Sequence, residues 1–85
     1  MNIYNLFQNL KKNCLYYHVT RDANDYRYLM KLIKKYQVNG DYYVYGQFSD
    51  AFGNTKIKRH VKVTEDFINS YMELTDKDNL VKEID

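Results

Sequence analysis

Cys14 and His18 are the two residues of this 85-residue chain whose types could do covalent chemistry together. They lie four apart in a segment that reads as a strand, on one face of it, and a Cys/His pair can form a nucleophilic centre or hold zinc. Nothing else in the sequence supports either use. Cys14 is the only cysteine, so no second thiol and no metal-ligand spacing accompanies it. The plainer reading makes Cys14 a small buried filler and His18 a surface imidazole. Ser49 and Ser70 are not in a nucleophile-elbow context. Asp22, Asp25, Asp41 and Asp50 fall in turn-like positions, where Asp serves local hydrogen bonding. The three glycines are isolated and form no phosphate loop. These features predict a non-enzyme with no catalytic residue, no cofactor and no metal.

A second group of residues suits binding rather than bond-making: Tyr43, Tyr45 and Gln47, then Lys56, Lys58, His60 and Lys62. Rings interleaved with cations on an exposed sheet can stack bases and pair phosphates, and the same chemistry suits a protein partner. The plainest alternative is a solvated sheet face on which lysines blunt edge-to-edge pairing.

Bringing these residues together requires a hairpin. Residues 41–49 and 55–63 are strand-like and flank the turn-forming segment 49–54. Pairing Ser49 with Asn54 places Gln47 opposite Lys56, Tyr45 opposite Lys58 and Tyr43 opposite His60. The other face then carries Tyr42, Val44, Gly46 and Phe48 against Ile57, Arg59, Val61 and Val63. It is apolar except for Arg59, as a half-buried hairpin requires.

The remaining elements follow from spacing and caps. Ile3, Leu6, Phe7 and Leu10 occupy one helical face and predict a helix over 3–12, with Asn2 as N-cap and Asn13 as its stop. Residues 14–20 read as a strand. For 25–36, the spacing of Tyr26, Leu29, Met30 and Ile33 predicts a helix, with Asn24 as N-cap. Asn39-Gly40 argues against it, since that pair is a hairpin signal that would make the preceding residues a strand. Thr64 caps a helix with Glu65 and Asp66 in its first turn, a Val63–Ile68 staple, and a buried stripe of Phe67, Ile68, Tyr71, Met72 and Leu74. Residues 75–78 then cap a last helical turn carrying Leu80, Val81 and Ile84. The expected fold is one α+β domain, 1–85. In it a small antiparallel sheet of about three strands packs with N-terminal, central and C-terminal helices.

Charge bears on the partner. The net charge is +2, but residues 1–63 carry +7 and residues 64–85 carry −5. The acidic end (Glu65, Asp66, Glu73, Asp76, Asp78, Glu83 and Asp85) would repel phosphate, and a pI near 8.6 falls short of a strongly basic nucleic-acid binder. Both tilt the reading toward a host protein as partner, with single-stranded nucleic acid as the alternative. Dimerisation through exposed aromatics is a third reading, because small domains gain stability that way. Ten tyrosines with no Pro and no Trp fit an A/T-rich coding sequence, hence a low-GC bacterium or its phages and plasmids. No apolar run matches a signal peptide or a membrane span, so a soluble, cytoplasmic protein without membrane association is expected.

The opening Met1-Asn2-Ile3, with Leu6, Phe7, Leu10 and Lys11, resembles the start of small type II anti-CRISPR proteins, which are compact α+β chains of similar length. The resemblance covers about the first dozen residues and carries over no functional residue. It implies a non-enzymatic inhibitor, phage- or mobile-element-encoded, that occupies a nucleic-acid site on a CRISPR nuclease. DNA-mimicking members are strongly acidic, whereas this chain is basic through most of its length.

Overall fold

Alternating apolar side chains need a covered face. In the computed structural model, which describes residues 2–74, one antiparallel sheet and two short helices provide it. The elements are α1 (Ile3–Asn9), β1 (Leu15–His18), β2 (Leu29–Val38), β3 (Asp41–Ser49), β4 (Ile57–Lys62), α2 (Glu65–Ser70) and β5 (Tyr71–Glu73). The strand order is β4-β3-β2-β1-β5, with every pairing antiparallel. Both helices lie on one face of the sheet, where Phe7, Leu10, Tyr16, Met30, Leu32, Val44, Phe48 and Val63 form the core. Met30, Leu32 and Val44 are wholly buried. Each side chain buried to that degree contributes roughly 1.5–3 kcal/mol of transfer free energy.

The expected α+β class is observed, but two elements differ. Residues 25–36 do not form a helix. A tight turn over 22–28 leads into β2, which pairs with β3 through Asn39-Gly40, both residues at positive φ as a two-residue hairpin turn demands. A bulge between Leu32 and Lys34 leaves Ile33 unpaired and exchanges the faces. Before it Met30 and Leu32 point to the core; after it Lys35 does. That exchange breaks the period of two and leaves apolar residues spaced as on a helix.

The C-terminal helix ends at Ser70, and Tyr71–Glu73 turn extended to pair with β1, so Met72 lies on the exposed strand face rather than in a buried stripe. Among the described residues the sheet thus has five strands instead of about three, and there are two helices. The expected helical turn after 75–78 lies outside the described residues.

Local caps hold the short helices. The Asn2 carboxamide oxygen accepts from the Tyr4 N–H at 2.7 Å, and the Thr64 hydroxyl accepts from the Phe67 N–H at 3.1 Å. Helix α1 spans seven residues and stops short of the expected 12; alone it would be marginal. Phe7 and Leu10 anchor it in the core, and Lys35 donates to the carbonyls of Phe7 and Gln8 at 3.0 and 3.3 Å, capping its last turn from the sheet. Asn13 does not end the helix; it takes φ 68° in the turn that enters β1.

Candidate functional site: the open sheet face

Among the described residues, nothing covers the face of the sheet away from the helices. The β3–β4 pairing sets Tyr43 opposite Lys62, Tyr45 opposite His60 and Gln47 opposite Lys58, two residues from the expected register. The turn accounts for the slip. The buried Asp50 carboxylate accepts from the Phe52 and Asn54 N–H groups at 2.9 and 2.8 Å, and Thr55 takes φ 51°, so pairing begins only at Phe48 and Ile57. A two-residue slip keeps each side chain on its own face. Tyr43, Tyr45, Gln47, Lys58, His60 and Lys62 therefore share the open face as expected, while Lys56 lies in the turn beside it. On the opposite face β4 is largely uncovered: Ile57 and Arg59 are exposed, and Arg59 donates to the Tyr26 hydroxyl at 2.7 Å.

Strand β2 adds what the helical reading of 25–36 hid. After the bulge, Lys34 pairs with Tyr45 and Tyr36 with Tyr43, so both join the open face; before it, Lys31 pairs with Gln47. The rings form one cluster. Tyr36 and Tyr43 stack at 5.4 Å and 11°, and Tyr45 and His60 stack at 4.4 Å and 27°. The Tyr36 hydroxyl lies 2.7 Å from His60 Nδ1, a hydrogen bond whose direction follows the imidazole tautomer. Lys34 Nζ sits 5.4 Å from the Tyr36 ring centroid, a cation–π contact. Asn39-Gly40 was the sequence signal that could have revealed these residues.

Toward β1 the face ends in a cavity of about 220 Å³, lined by Leu15, Leu29, Lys31, Gln47, Lys56 and Phe52 among others. Phe52 is 68 % exposed at its rim. The face carries Lys31, Lys34, Lys58 and Lys62, with Lys56 at its edge. By register Asp41 is the one carboxylate among the described residues of this face, and its 3.7 Å pair with Lys62 is well exposed and contributes little.

The acidic residues are elsewhere. Glu65 and Asp66 lie on α2 across the sheet, and Glu73 shares the core face, 3.4 Å from Lys11. Asp76 and Asp78 fall outside the described residues.

The structure separates Cys14 from His18. Four residues along a strand span about 13 Å, too far to share a proton. The Cys14 thiol is pushed up by burial and by Glu73, with Lys11 opposing, so it is held as the thiol rather than the nucleophilic thiolate. His18 packs edge-on against Tyr71 at 4.9 Å, and its Nδ1 accepts from the Thr20 N–H at 3.2 Å. Burial, then Arg21 and Arg27, lower its pKa. Among the described residues, no group of three or more His, Cys, Asp or Glu could hold a metal, and no helix is long and apolar enough to cross a membrane. Comparison with protein-family models, curated proteins and solved structures finds no match to this chain.

Proposed function

We propose that this chain is a non-enzymatic binding module that takes single-stranded nucleic acid on its open sheet face. The observation that carries the reading is charge placement around the ring cluster: among the described residues, Lys31, Lys34, Lys58 and Lys62, with Lys56 at the edge, accompany Tyr36, Tyr43, Tyr45 and His60 against one carboxylate, Asp41. In the sequence alone the acidic end argues against phosphate. With Glu65, Asp66 and Glu73 on the far side of the sheet, that objection loses most of its force within the described residues. Stacking of bases on rings is sequence-tolerant, and lysines act as point charges toward phosphate. Phe52 and the adjoining cavity offer a place for a base at the end of the track.

Fluorescence titration with a labelled oligothymidylate tests it. Each lysine–phosphate contact contributes about −0.7 to the slope of log K against log salt, so the five lysines set a limit near −3.5. Tyr43→Ala with Lys58→Ala weakens binding at least tenfold and flattens the slope by about 0.7. Absence of binding at low salt, or indifference to that double substitution, rejects the reading.

The mutual packing of the rings favours a second reading. Stacked and hydrogen-bonded to one another, they form a rigid patch of the kind that anchors protein interfaces. The partner would then be a host protein of nucleic-acid metabolism or defence, and the N-terminal resemblance would make it a CRISPR nuclease inhibited by this chain. Pull-down from a low-GC bacterial lysate tests this, and retention of no protein at gentle salt counts against it.

A further inference from the structure

On the helix side of the sheet a second cavity of about 380 Å³ opens beside α2, within the size range of small-molecule sites. Its apolar lining is aromatic: Phe48, Phe67 and Tyr71, with ring centroids 5.1 Å apart for Phe67–Tyr71 and 6.4 Å for Phe48–Tyr71. Its polar lining is dominated by Arg21, Arg27 and Arg59, which converge from the turn after β1, the approach to β2, and β4.

The guanidiniums are positioned rather than loose. The Asp25 carboxylate accepts from Arg27 Nε and Nη2, each at 3.1 Å, and from Arg21 Nη1 at 3.3 Å. This fork holds the Asp25 carboxyl down at about 2, so it stays ionised and keeps both arginines in place. Asp25 neutralises one of the two charges, and Asp66 on the cavity wall offsets another. Arg59 has a tyrosine hydroxyl, not a carboxylate, as its partner among the described residues. Arg21 Nε is the one buried side-chain polar atom among the described residues that has no hydrogen-bond partner. A buried donor without an acceptor is destabilising, and this one is closed to solvent, so it adds strain beside the cavity rather than a contact for a ligand.

We propose that this cavity binds an organic phosphate bearing a flat ring, of mononucleotide size, with the phosphate on the Arg21–Arg27–Arg59 cluster and the ring over Phe48, Phe67 and Tyr71. The guanidinium N–H groups that Asp25 and Tyr26 leave unused are charged donors for phosphate oxygens, and the aromatic floor supplies the apolar contact for the ring. The site opens on the helix side, shares only Lys62 of its lining with the open sheet face, and does not depend on the use proposed for that face.

The test is an NMR titration of the full chain with AMP, adenosine and inorganic phosphate, following arginine Nε–H and backbone amide signals. AMP is expected to move the backbone amide signals of Arg59, Phe67 and Tyr71 and to bind at least tenfold more tightly than either fragment. Beside the bound phosphate the His18 imidazole titrates higher than in the free protein. Arg59 is exposed, so Arg59→Gln leaves the fold intact and weakens AMP at least tenfold. Arg59→Lys recovers only part of that loss, and Lys12→Gln, an equal change of charge elsewhere, leaves AMP affinity unchanged. The proposal is overturned if the Arg59, Phe67 and Tyr71 amides stay unmoved at millimolar AMP, if phosphate alone binds as tightly, or if Arg59→Gln and Lys12→Gln act alike.

Discussion

Gly46 is opposite Leu32 on one side and Arg59 on the other, and the space its missing side chain leaves is filled by Met30. A Cβ there would stand 2.9 Å from Met30 Cγ, 3.2 Å from its sulfur and 3.3 Å from the Lys31 carbonyl oxygen. Met30 is wholly buried, so its Cγ cannot swing aside into solvent. Overpacking of this kind costs about 1–3 kcal/mol, while Ala in place of Gly within a strand recovers about 0.5–1 kcal/mol of backbone entropy. The net for Gly46→Ala is a loss of about 0–2.5 kcal/mol, centred near ~1 kcal/mol. With a urea slope of about 1 kcal/mol per molar for so small a chain, the midpoint falls by ~0–2.5 M, about 1 M at the centre.

Met30→Ala removes the clashing atoms at its own cost of about 2–5 kcal/mol. In that background only the entropy gain and a mild approach to the Lys31 carbonyl remain, so the sign of Gly46→Ala reverses and it stabilises by up to ~1 kcal/mol. Urea unfolding of the four proteins, followed by circular dichroism, reads this directly. A Gly46→Ala protein more stable than wild type, or an equal loss in both backgrounds, would refute the packing described here.

Lys35→Met keeps the apolar stem but loses the two carbonyl contacts that fasten α1. A cost of about 1–2 kcal/mol is expected, because one of the charged hydrogen bonds is solvent-exposed, and amide exchange should accelerate first in α1. Asp25 couples stability to acid. Its folded pKa of about 2 lies below the ordinary value of about 3.9, so its contribution is complete above pH ~4 and is lost as pH falls toward 2. The difference in melting temperature between wild type and Asp25→Asn should narrow below pH 4 and close near pH 2, and a gap that is constant across that window would contradict the Asp25–arginine pairing.

The local signals in this chain were legible because each is complete within a few residues. Asn2 and Thr64 cap helices as their side chains predict, and the alternation of 41–49 and 57–62 places Tyr43, Tyr45, His60 and Lys62 on one face whatever the turn length, provided the slip is even. The spacing of Tyr26, Leu29, Met30 and Ile33 misled, because a bulge that exchanges strand faces mimics a helical period. Sequence periodicity cannot separate the two when the deciding partner is a neighbouring strand. Lys35 falls within the segment whose spacing predicted a helix; on β2 it instead caps α1, 28 positions earlier in the chain.

Composition and short-range pattern therefore determined the α+β class, the hairpin and the chemical character of its exposed side. Tertiary structure alone decided that Tyr36, Lys31 and Lys34 join that side, that Tyr71–Glu73 pair with β1, and that Arg21, Arg27 and Arg59 meet around one cavity. The physical reason is range. Caps and alternation act over one turn or one strand, whereas strand partners and charge clusters depend on which distant surfaces gain most by covering each other.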